Sequence, residues 1–335
     1  MLKIVGYIFL ALFLVICAGA IYQFVATKID DTRFSPPGKL VDIGGYSLHI
    51  NCIGEGDQTV VLEAGHAGNC LEWALVQEEV SQFTRVCSYD RAGYGWSEES
   101  PYPRTSEQMV LELHTLLTKA QVPTPYVLVG HSLGGVNIRL YAYRYPDEVS
   151  GIILVDSSHE NQEARLPPES KKYFCFEYPK IAEFFTSMGI HRLMMQMSQT
   201  QSRLKLSNYP DWVQKAYLAK LSSTKCIRTA GKENSAFTES LSQLKNAQFS
   251  FGDKPLIVLT AGKCISNEGY GFDQKWLDQS FKVWKELQKE LVTQSTKGKQ
   301  IIAEHSDHQI TRNQPEIIID AIKELINSEE KRGVH

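Results

Sequence analysis

The sequence predicts an α/β fold: a mostly parallel, eight-stranded sheet with helices on both faces, a helical cap, and one N-terminal transmembrane helix. Three observations predict it. Short apolar runs rich in β-branched residues alternate with longer amphipathic segments from residue 39 onward, which is typical of a sheet covered on both faces. A long uncharged stretch precedes this region. A glycine-flanked serine, Ser132, lies between a predicted strand and a predicted helix.

The composition narrows the function. The 335 residues carry a net charge of -3 with acidic and basic residues interspersed, which argues against a nucleic-acid partner. None of the seven cysteines forms a CxxC pair, so zinc and thioredoxin-like sites have no support. The sequence has no P-loop, dinucleotide fingerprint or metal-ligand cluster. We therefore expect no cofactor and no metal.

The N-terminal segment is predicted to be a membrane anchor. Ile4–Ala26 is uncharged, and as a helix its length of about 23 residues would span a hydrocarbon core. A signal peptide cleaved after Ala18-Gly19-Ala20 and a lipobox at Cys17 are alternatives. The apolar run is longer than a signal-peptide core, and Ile16 is too bulky for a lipobox, so an uncleaved single-pass anchor is favoured. Flanking charges leave its orientation undetermined.

Three regions follow from these patterns: an anchor over residues 1–27, a surface linker over 28–38, and a catalytic domain over 39–330. The strand and helix alternation of that domain is interrupted between residues 161 and 254. Because this interruption follows the carboxyl end of one strand and ends before the next, where ligands bind in such sheets, we expect a helical cap over the active site. Within it, helices are predicted over 180–201 and 211–221.

Ser132 is the predicted nucleophile. It lies in Gly130-His131-Ser132-Leu133-Gly134, which matches G-x-S-x-G between a strand and a helix, a turn so tight that only small residues can flank the serine. The serine needs a base to remove its proton. His308 is the best candidate, because it follows the last predicted strand and so lies at the same sheet edge. His305 is the rival.

A third group must orient the imidazole, and the chain order places an acid between Ser132 and the histidine. Asp156 directly follows one strand, whereas Glu268 is the first acid after a later strand and would need a loop to fold back. We choose Asp156. For the oxyanion hole, two backbone N–H groups are expected, those of Leu133 and His66, with Ala67 as the rival to His66.

These segments resemble the α/β-hydrolase superfamily, in the large branch of lid-bearing esterases and lipases. The resemblance extends from Pro36 to about Asn327. It is carried by segments at 62–66, 90–97, 130–135, 153–156 and 308–315. It implies that 90–97 is a structural turn, and that Cys52 and Cys87 lie on neighbouring strands, where a disulfide forms if the domain faces an oxidising compartment. Relatives that open epoxides or displace halide use an aspartate nucleophile, so Ser132 argues against both reactions.

The expected function is hydrolysis of a small-molecule ester or lipid through an acyl-enzyme at the membrane. The anchor suggests an apolar substrate part, as do the apolar side chains of the cap, which could equally serve cap packing: Phe174, Phe176, Tyr178, Phe184, Phe185, Met194, Met195 and Met197. Two alternatives remain. The same triad could act on amides, thioesters or lactones, or the fold could be a non-catalytic binding module, which would be expected to lack part of the site.

Overall fold

The computed structural model of the chain describes residues 2–169, 180–197, 204, 206–247, 250–265 and 273–330. Its centre is one eight-stranded sheet in the order β1-β2-β4-β3-β5-β6-β7-β8. The strands are β1 Lys39–Asp42, β2 Ser47–Ile53, β3 Thr59–Glu63, β4 Arg85–Tyr89, β5 Tyr126–His131, β6 Val149–Val155, β7 Leu256–Ala261 and β8 Gly298–Ala303. β2 is antiparallel to both β1 and β4, and the other neighbours are parallel. The predicted mostly parallel sheet is confirmed.

The sheet separates two apolar layers because successive side chains of a strand point to opposite faces. Val61 and Leu128 belong to one buried layer, and Val60 and Val129 to the other. All of β5 is buried. The central strands are therefore apolar on both faces, which explains their unbroken hydrophobic runs.

Helices cover both faces of the sheet. The helices of the domain are α2 Ala74–Val80, α3 Ser106–Lys119, α4 Leu133–Arg144, α5 Gln162–Arg165, α6 Lys180–Ser187, α7 Ile190–Met195, α8 Asp211–Leu221, α9 Thr224–Ser235, α10 Phe237–Ala247, α11 Gln274–Val292, α12 Ile310–Asn313 and α13 Pro315–Glu330. Side chains of α3, α4 and α10 join one apolar layer, and those of α2 and α13 join the other. Thr105 caps α3 by accepting from the Gln108 N–H, and threonine is a preferred residue at this position.

Helices α5 to α10 occupy the region between β6 and β7 where the cap is expected. The helix predicted over 180–201 differs from the structure. It is divided into α6 and α7 at Gly189, whose φ of +76° ends one helix before the next begins. Positive φ is open to glycine at little cost.

The N-terminal helix α1 extends over Leu2–Arg33. It contains an 18-residue window of mean hydropathy 2.7, none of it buried, and it is the one helix among the described residues that is long and apolar enough to cross a membrane. The linker predicted over 28–38 is helical as far as Arg33. The charged residues at the start of the predicted linker therefore lie on the last turns of α1. The sequence pattern did not predict that the helix continues past the apolar stretch.

Cys52 and Cys87 form a disulfide. The two residues are direct partners in the antiparallel register of β2 and β4, with their Cα atoms 4.0 Å apart. Cross-strand neighbours of this kind bring two side chains on one face close together. The bridge joins the antiparallel edge of the sheet to its parallel body.

Candidate active site

Ser132 lies at the turn between β5 and α4 in a strained backbone conformation, with φ of 52° and ψ of -118°. The turn is closely packed, since a Cβ added at Gly134 would lie 2.5 Å from the carbonyl oxygen of Glu63. A non-glycine residue at positive φ costs energy and persists only where its surroundings enforce it. This geometry matches that of a nucleophile elbow.

Backbone hydrogen bonds join the elbow to the end of β6. The Ser132 N–H donates to the carbonyl of Val155 over 3.1 Å, and the Ser132 carbonyl accepts from the N–H of Ser158 over 3.0 Å. Asp156 directly follows Val155. Two neighbouring parallel strands therefore bring Ser132 and Asp156 to one edge of the sheet.

Asp156 and His308 are hydrogen-bonded. His308 Nδ1 lies 2.6 Å from Asp156 Oδ2, and because a carboxylate only accepts, the Nδ1–H donates, which leaves Nε2 as the acceptor in the neutral ring. The other oxygen, Oδ1, accepts from the Ala261 N–H and from the Trp284 indole, each over 3.0 Å. Asp156 has a φ of +42°, so this carboxylate is fixed by a constrained backbone as well as by its partners.

His308 is partly exposed and packs against Trp284. The two rings meet edge to face, with centroids 5.9 Å apart and planes at 83°. Ser132 and His308 are both among the described residues, and no hydrogen bond joins the Ser132 hydroxyl to the His308 ring. Catalytic hydrogen bonds are often long or poorly aligned before substrate binds, so the missing bond does not argue against Ser132 and His308 as the predicted nucleophile and base.

The loop after β3 lies beside the elbow. A Cβ added at Gly65 would be 3.4 Å from the Ser132 Cβ, so the backbone at Gly65 lies close to the Ser132 side chain. Ala67 adopts a positive φ of 57°. His66, the predicted oxyanion donor, lies on this loop, and Leu133, the other, is the first residue of α4. The structure thus brings both predicted donors to the neighbourhood of Ser132.

Arg91 binds the backbone of the same loop. Its guanidinium donates to the carbonyls of Ala64 and Gly65 over 2.6 and 2.8 Å. Arg91 also pairs with Glu233 of the cap helix α9 over 2.8 Å, and His66 Nδ1 lies 3.3 Å from the same carboxylate. Burial opposes ionisation of Glu233, but Arg91 lowers the pKa of this carboxyl far below its usual range. One buried carboxylate therefore connects the cap to the predicted oxyanion loop.

A second buried ion pair lies behind the elbow. His131 Nδ1 is 2.5 Å from Glu72 Oε1, and His131 Nε2 is 2.9 Å from the carbonyl of His308. Burial disfavours the charged ring, but Glu72 outweighs it and raises the pKa of His131. Burial likewise opposes ionisation of Glu72, and His131 outweighs it and lowers the pKa of that carboxyl.

One group among the described residues has ligand atoms close enough to hold a metal ion: His49, Cys70 and Asp90, all buried. The donors are already engaged. His49 Nδ1 is 2.8 Å from Asp90 Oδ2, its Nε2 contacts the Pro37 carbonyl, and Asp90 Oδ1 accepts from the Cys70 N–H over 2.7 Å. This chemistry fits a hydrogen-bonded structural cluster better than a metal site.

The rival acids and base have other positions. His305 is exposed, and its N–H donates to the side chain of Gln314 over 2.7 Å. Glu268 lies outside the described residues. Asp273, the acid that follows Glu268 in the sequence, accepts from the Lys275 N–H at the start of α11.

Sequence reasoning did not identify Trp284, the His131–Glu72 pair or the Arg91–Glu233 pair as parts of the site. Arg91 lay in a segment that was interpreted as a structural turn. Nothing in the local sequence marks Arg91 as buried. Once the fold shows the burial, a partner is expected, because buried charges in proteins are paired.

A family model described as alpha/beta hydrolase fold matches residues 58–283. The uncharacterized protein YqjL of Bacillus subtilis is 25% identical over 288 residues, which cover 86% of this chain and 91% of YqjL. The chain spans 59% of a second relative from that organism, YbdG, at 27% identity over 58% of this chain.

Solved structures agree on the fold. An epoxide hydrolase from Bacillus megaterium superposes with a TM-score of 0.63 at 16% identity, covering 86% of this chain and all of its own. A thermophilic esterase from Thermogutta terrifontis superposes with a TM-score of 0.56 at 20% identity, covering 84% and 94% of the two chains. The family match, the sheet order and the strained serine elbow agree: this chain is a member of the α/β-hydrolase family.

Proposed function

We propose that this protein is a membrane-anchored serine hydrolase that cleaves carboxylic esters. Ser132 is the nucleophile, His308 is the base and Asp156 orients it. The observation that carries the proposal is the 2.6 Å contact between His308 Nδ1 and Asp156 Oδ2 beside a serine in the strained elbow conformation. A histidine held in this tautomer presents Nε2 as a proton acceptor.

In the proposed reaction, Ser132 Oγ attacks the ester carbonyl and its proton passes to His308 Nε2. The N–H groups of Leu133 and His66 stabilise the oxyanion of the tetrahedral intermediate. That intermediate expels the alcohol, which takes the proton from His308, and leaves an acyl-enzyme on Ser132. Water then attacks the acyl group with His308 again as base, and the carboxylic acid is released.

Two features support an apolar substrate part at a membrane. Helix α1 has the length and hydropathy of a single membrane span. Exposed apolar side chains also occur on the described cap helices, among them Phe184, Phe185, Met194 and Met197. The other aromatic residues expected to contribute, Phe174, Phe176 and Tyr178, lie outside the described residues. The proposed partners are therefore an ester or lipid substrate and the bilayer.

Labelling by a fluorophosphonate probe tests the nucleophile. The wild-type chain is expected to be labelled at Ser132, and Ser132→Ala to lose both the label and hydrolysis of p-nitrophenyl esters. Ser242→Ala, which removes an exposed hydroxyl on α10, is the matched control and should retain both. Equal ester turnover by the wild type and Ser132→Ala would contradict the proposal.

An unlabelled wild-type protein would favour the binding-module alternative. A labelled protein that hydrolyses amides, thioesters or lactones but no ester would keep the triad and replace the substrate class. A panel of esters, amides, thioesters and lactones separates these substrate classes. A series of p-nitrophenyl esters from acetate to laurate shows whether a longer apolar acyl chain raises kcat/KM.

A further inference from the structure

The part of α1 that is free of protein contacts is too short to cross a membrane alone. Residues 3–15 are exposed on all sides, and partial burial begins at Ile16. At 1.5 Å per residue this free stretch is about 20 Å long, whereas a hydrocarbon core is about 30 Å thick. A complete span therefore needs roughly another seven residues, which extends it to about Tyr22.

The cap contacts α1 within those additional residues. A Cβ added at Gly19 would lie 2.8 Å from the carbonyl oxygen of Met188, and one added at Gly189 would lie 2.5 Å from the Tyr22 ring. Glycine at both positions allows the turn between α6 and α7 to approach the helix closely. We call residues 180–197 the cap tip. Its turn at residues 188–189 lies at the depth of Gly19 to Tyr22, and Arg192 lies nearer the domain.

Polar contacts begin immediately beyond this depth and fix the height of the cap on the helix. The buried Gln23 side chain donates to the carbonyl of Ser222 over 2.9 Å and accepts from Arg192 over 3.1 Å. Farther along, Arg192 pairs with Asp30, and Lys220 pairs with Asp31 over 3.0 Å. These partners hold the cap against the last turns of α1, so the cap tip cannot lie at another level.

The cap tip is unusually apolar for a surface exposed to water. Seven of its large apolar side chains are between 36% and 55% exposed: Ile181, Phe184, Phe185, Ile190, Leu193, Met194 and Met197. So many exposed apolar side chains on one short segment mark an interaction site. The cap tip adjoins the apolar part of α1 where Met188 and Gly189 contact Gly19 and Tyr22. Because the acyl chains of a bilayer would surround α1 at that level, we take them to cover the cap tip as well.

We infer that the cap tip penetrates the same bilayer leaflet that α1 enters, and so forms a second membrane contact. The inference rests on insertion of α1, which is part of the proposed function. Helix α8 links this contact to the site, because Lys220 pairs with Asp31 of the anchor while Tyr217 accepts from Arg312 over 2.6 Å, just beyond His308. The substrate class that follows is an ester of a membrane lipid, which reaches the site from the leaflet beneath the cap.

Photolabelling tests the contact without requiring catalysis. The full chain carrying Ser132→Ala is reconstituted in phosphatidylcholine vesicles in which a fraction of the lipid bears a diazirine on its acyl chain, and adducts are located by mass spectrometry after irradiation. Adducts are expected on α1 and on residues 181–197. Exposed apolar residues elsewhere, such as Leu111 and Tyr143, serve as internal controls and should remain unlabelled.

Each result has one meaning. Adducts on α1 without adducts on the cap tip overturn the inference and leave the anchor intact. Absence of adducts on α1 contradicts the membrane anchor itself and the inference with it. A cap tip that is unlabelled because a second copy covers it would appear as dimeric particles by mass photometry of nanodiscs, and would also overturn the inference.

A kinetic measurement provides the second readout. Combining Ile181→Ser with Leu193→Ser removes two large apolar side chains from the leaflet, so turnover of an ester embedded in vesicles is expected to fall at least about fivefold. Hydrolysis of soluble p-nitrophenyl acetate should be unchanged. Leu111→Ser is the matched control and should affect neither substrate. Unchanged turnover of the embedded ester in the double variant would contradict a membrane role. An equal loss on both substrates, in a variant that unfolds at the same urea concentration as the wild type, would contradict it as well.

Discussion

At Asp156, one carboxylate accepts hydrogen bonds from three separate parts of the chain. Ala261 belongs to the neighbouring strand β7, Trp284 to helix α11, and His308 to the loop after β8. Each donor limits one direction in which the carboxylate could move. The proposed base is therefore oriented by a group that is itself fixed, which is what general-base catalysis needs from its third member.

Replacing Trp284 by Phe tests this support. Phe keeps an aromatic ring against His308 but removes the indole donor to Asp156. A hydrogen bond to a charged group contributes about 1.5–3 kcal/mol, so kcat should fall by about tenfold or more with little change in KM. Trp212→Phe, at an exposed position on α8, is the control and should leave kcat unchanged. An unchanged kcat in Trp284→Phe would show that the indole does not orient Asp156.

The His131–Glu72 pair predicts a dependence of stability on pH. The pKa of His131 is raised in the folded protein, so its stabilising effect is complete below the unfolded value of about 6.5 and is lost as pH rises through the folded pKa. The pKa of Glu72 is lowered, so its contribution is present above about 4.5 and is lost as pH falls through the folded value. The pair should stabilise most between these limits.

Urea unfolding of the wild type and of Glu72→Gln at pH 5.5, 7.5 and 9 measures this effect. The free-energy difference between the two proteins should be largest at pH 5.5 and shrink as pH rises, because the variant lacks the carboxylate that keeps His131 protonated. The buried His49–Asp90 pair is common to both proteins, so its titration largely cancels. A difference that does not vary with pH would contradict the assignment.

At the scale of elements, Glu233 connects helix α9 to the loop after β3, the proposed oxyanion loop. The carboxylate is completely buried and contacts Arg91, Tyr94 and His66, while Arg91 holds the loop carbonyls. Movement of α9 away from the sheet would therefore break a buried ion pair and leave Arg91 with Glu63 as its carboxylate partner among the described residues. The Glu233–Arg91 pair thus couples the cap to the proposed oxyanion loop.

Neutralising Glu233 should have a large effect. Glu233→Gln removes one of the two buried carboxylates that pair with Arg91, the other being Glu63, and breaking one side of a buried ion pair costs up to about 3–5 kcal/mol. The free energy of unfolding should fall by about that amount, and kcat/KM should fall as the loop loses its support. Glu183→Gln, in a half-exposed pair with Arg228, is the control and should cost less than about 1 kcal/mol. Equal effects of the two substitutions would rule out the special role of α9.

The elements that carry Ser132, Asp156 and His308 were predictable because strand ends in a parallel sheet share one edge. The contacts that support them were not. Trp284 reaches Asp156 from a helix 128 positions away in sequence, and Glu233 reaches Arg91 across 142 positions, so neither leaves a local pattern. The helical continuation of α1 beyond its apolar stretch brings Asp30 to Arg192 of the cap and Asp31 to Lys220 of the cap, and hydropathy does not report such contacts.

At the scale of the whole molecule, the Cys52–Cys87 bridge bears on which side of the membrane the domain lies. Disulfides persist in oxidising compartments and are rare in the cytosol. We therefore expect the catalytic domain on the extracytoplasmic side and the short N-terminus in the cytoplasm. Protease added to intact cells expressing the full chain should digest the domain, whereas a cytoplasmic marker protein should survive. A domain that is protected until the cells are opened would contradict this orientation.

Helix α1 continues without a break from its apolar end into the turns that hold the cap. A flexible linker would let a catalytic domain take many positions and orientations around its attachment point. With α1 in a membrane, as proposed, its helical part from Gln23 to Arg33, about 15 Å long, would hold the domain at one distance from the bilayer and at one tilt. The proposed enzyme would then meet its substrate in two dimensions, and its rate would follow the surface density of that substrate in the membrane and not its concentration in bulk water.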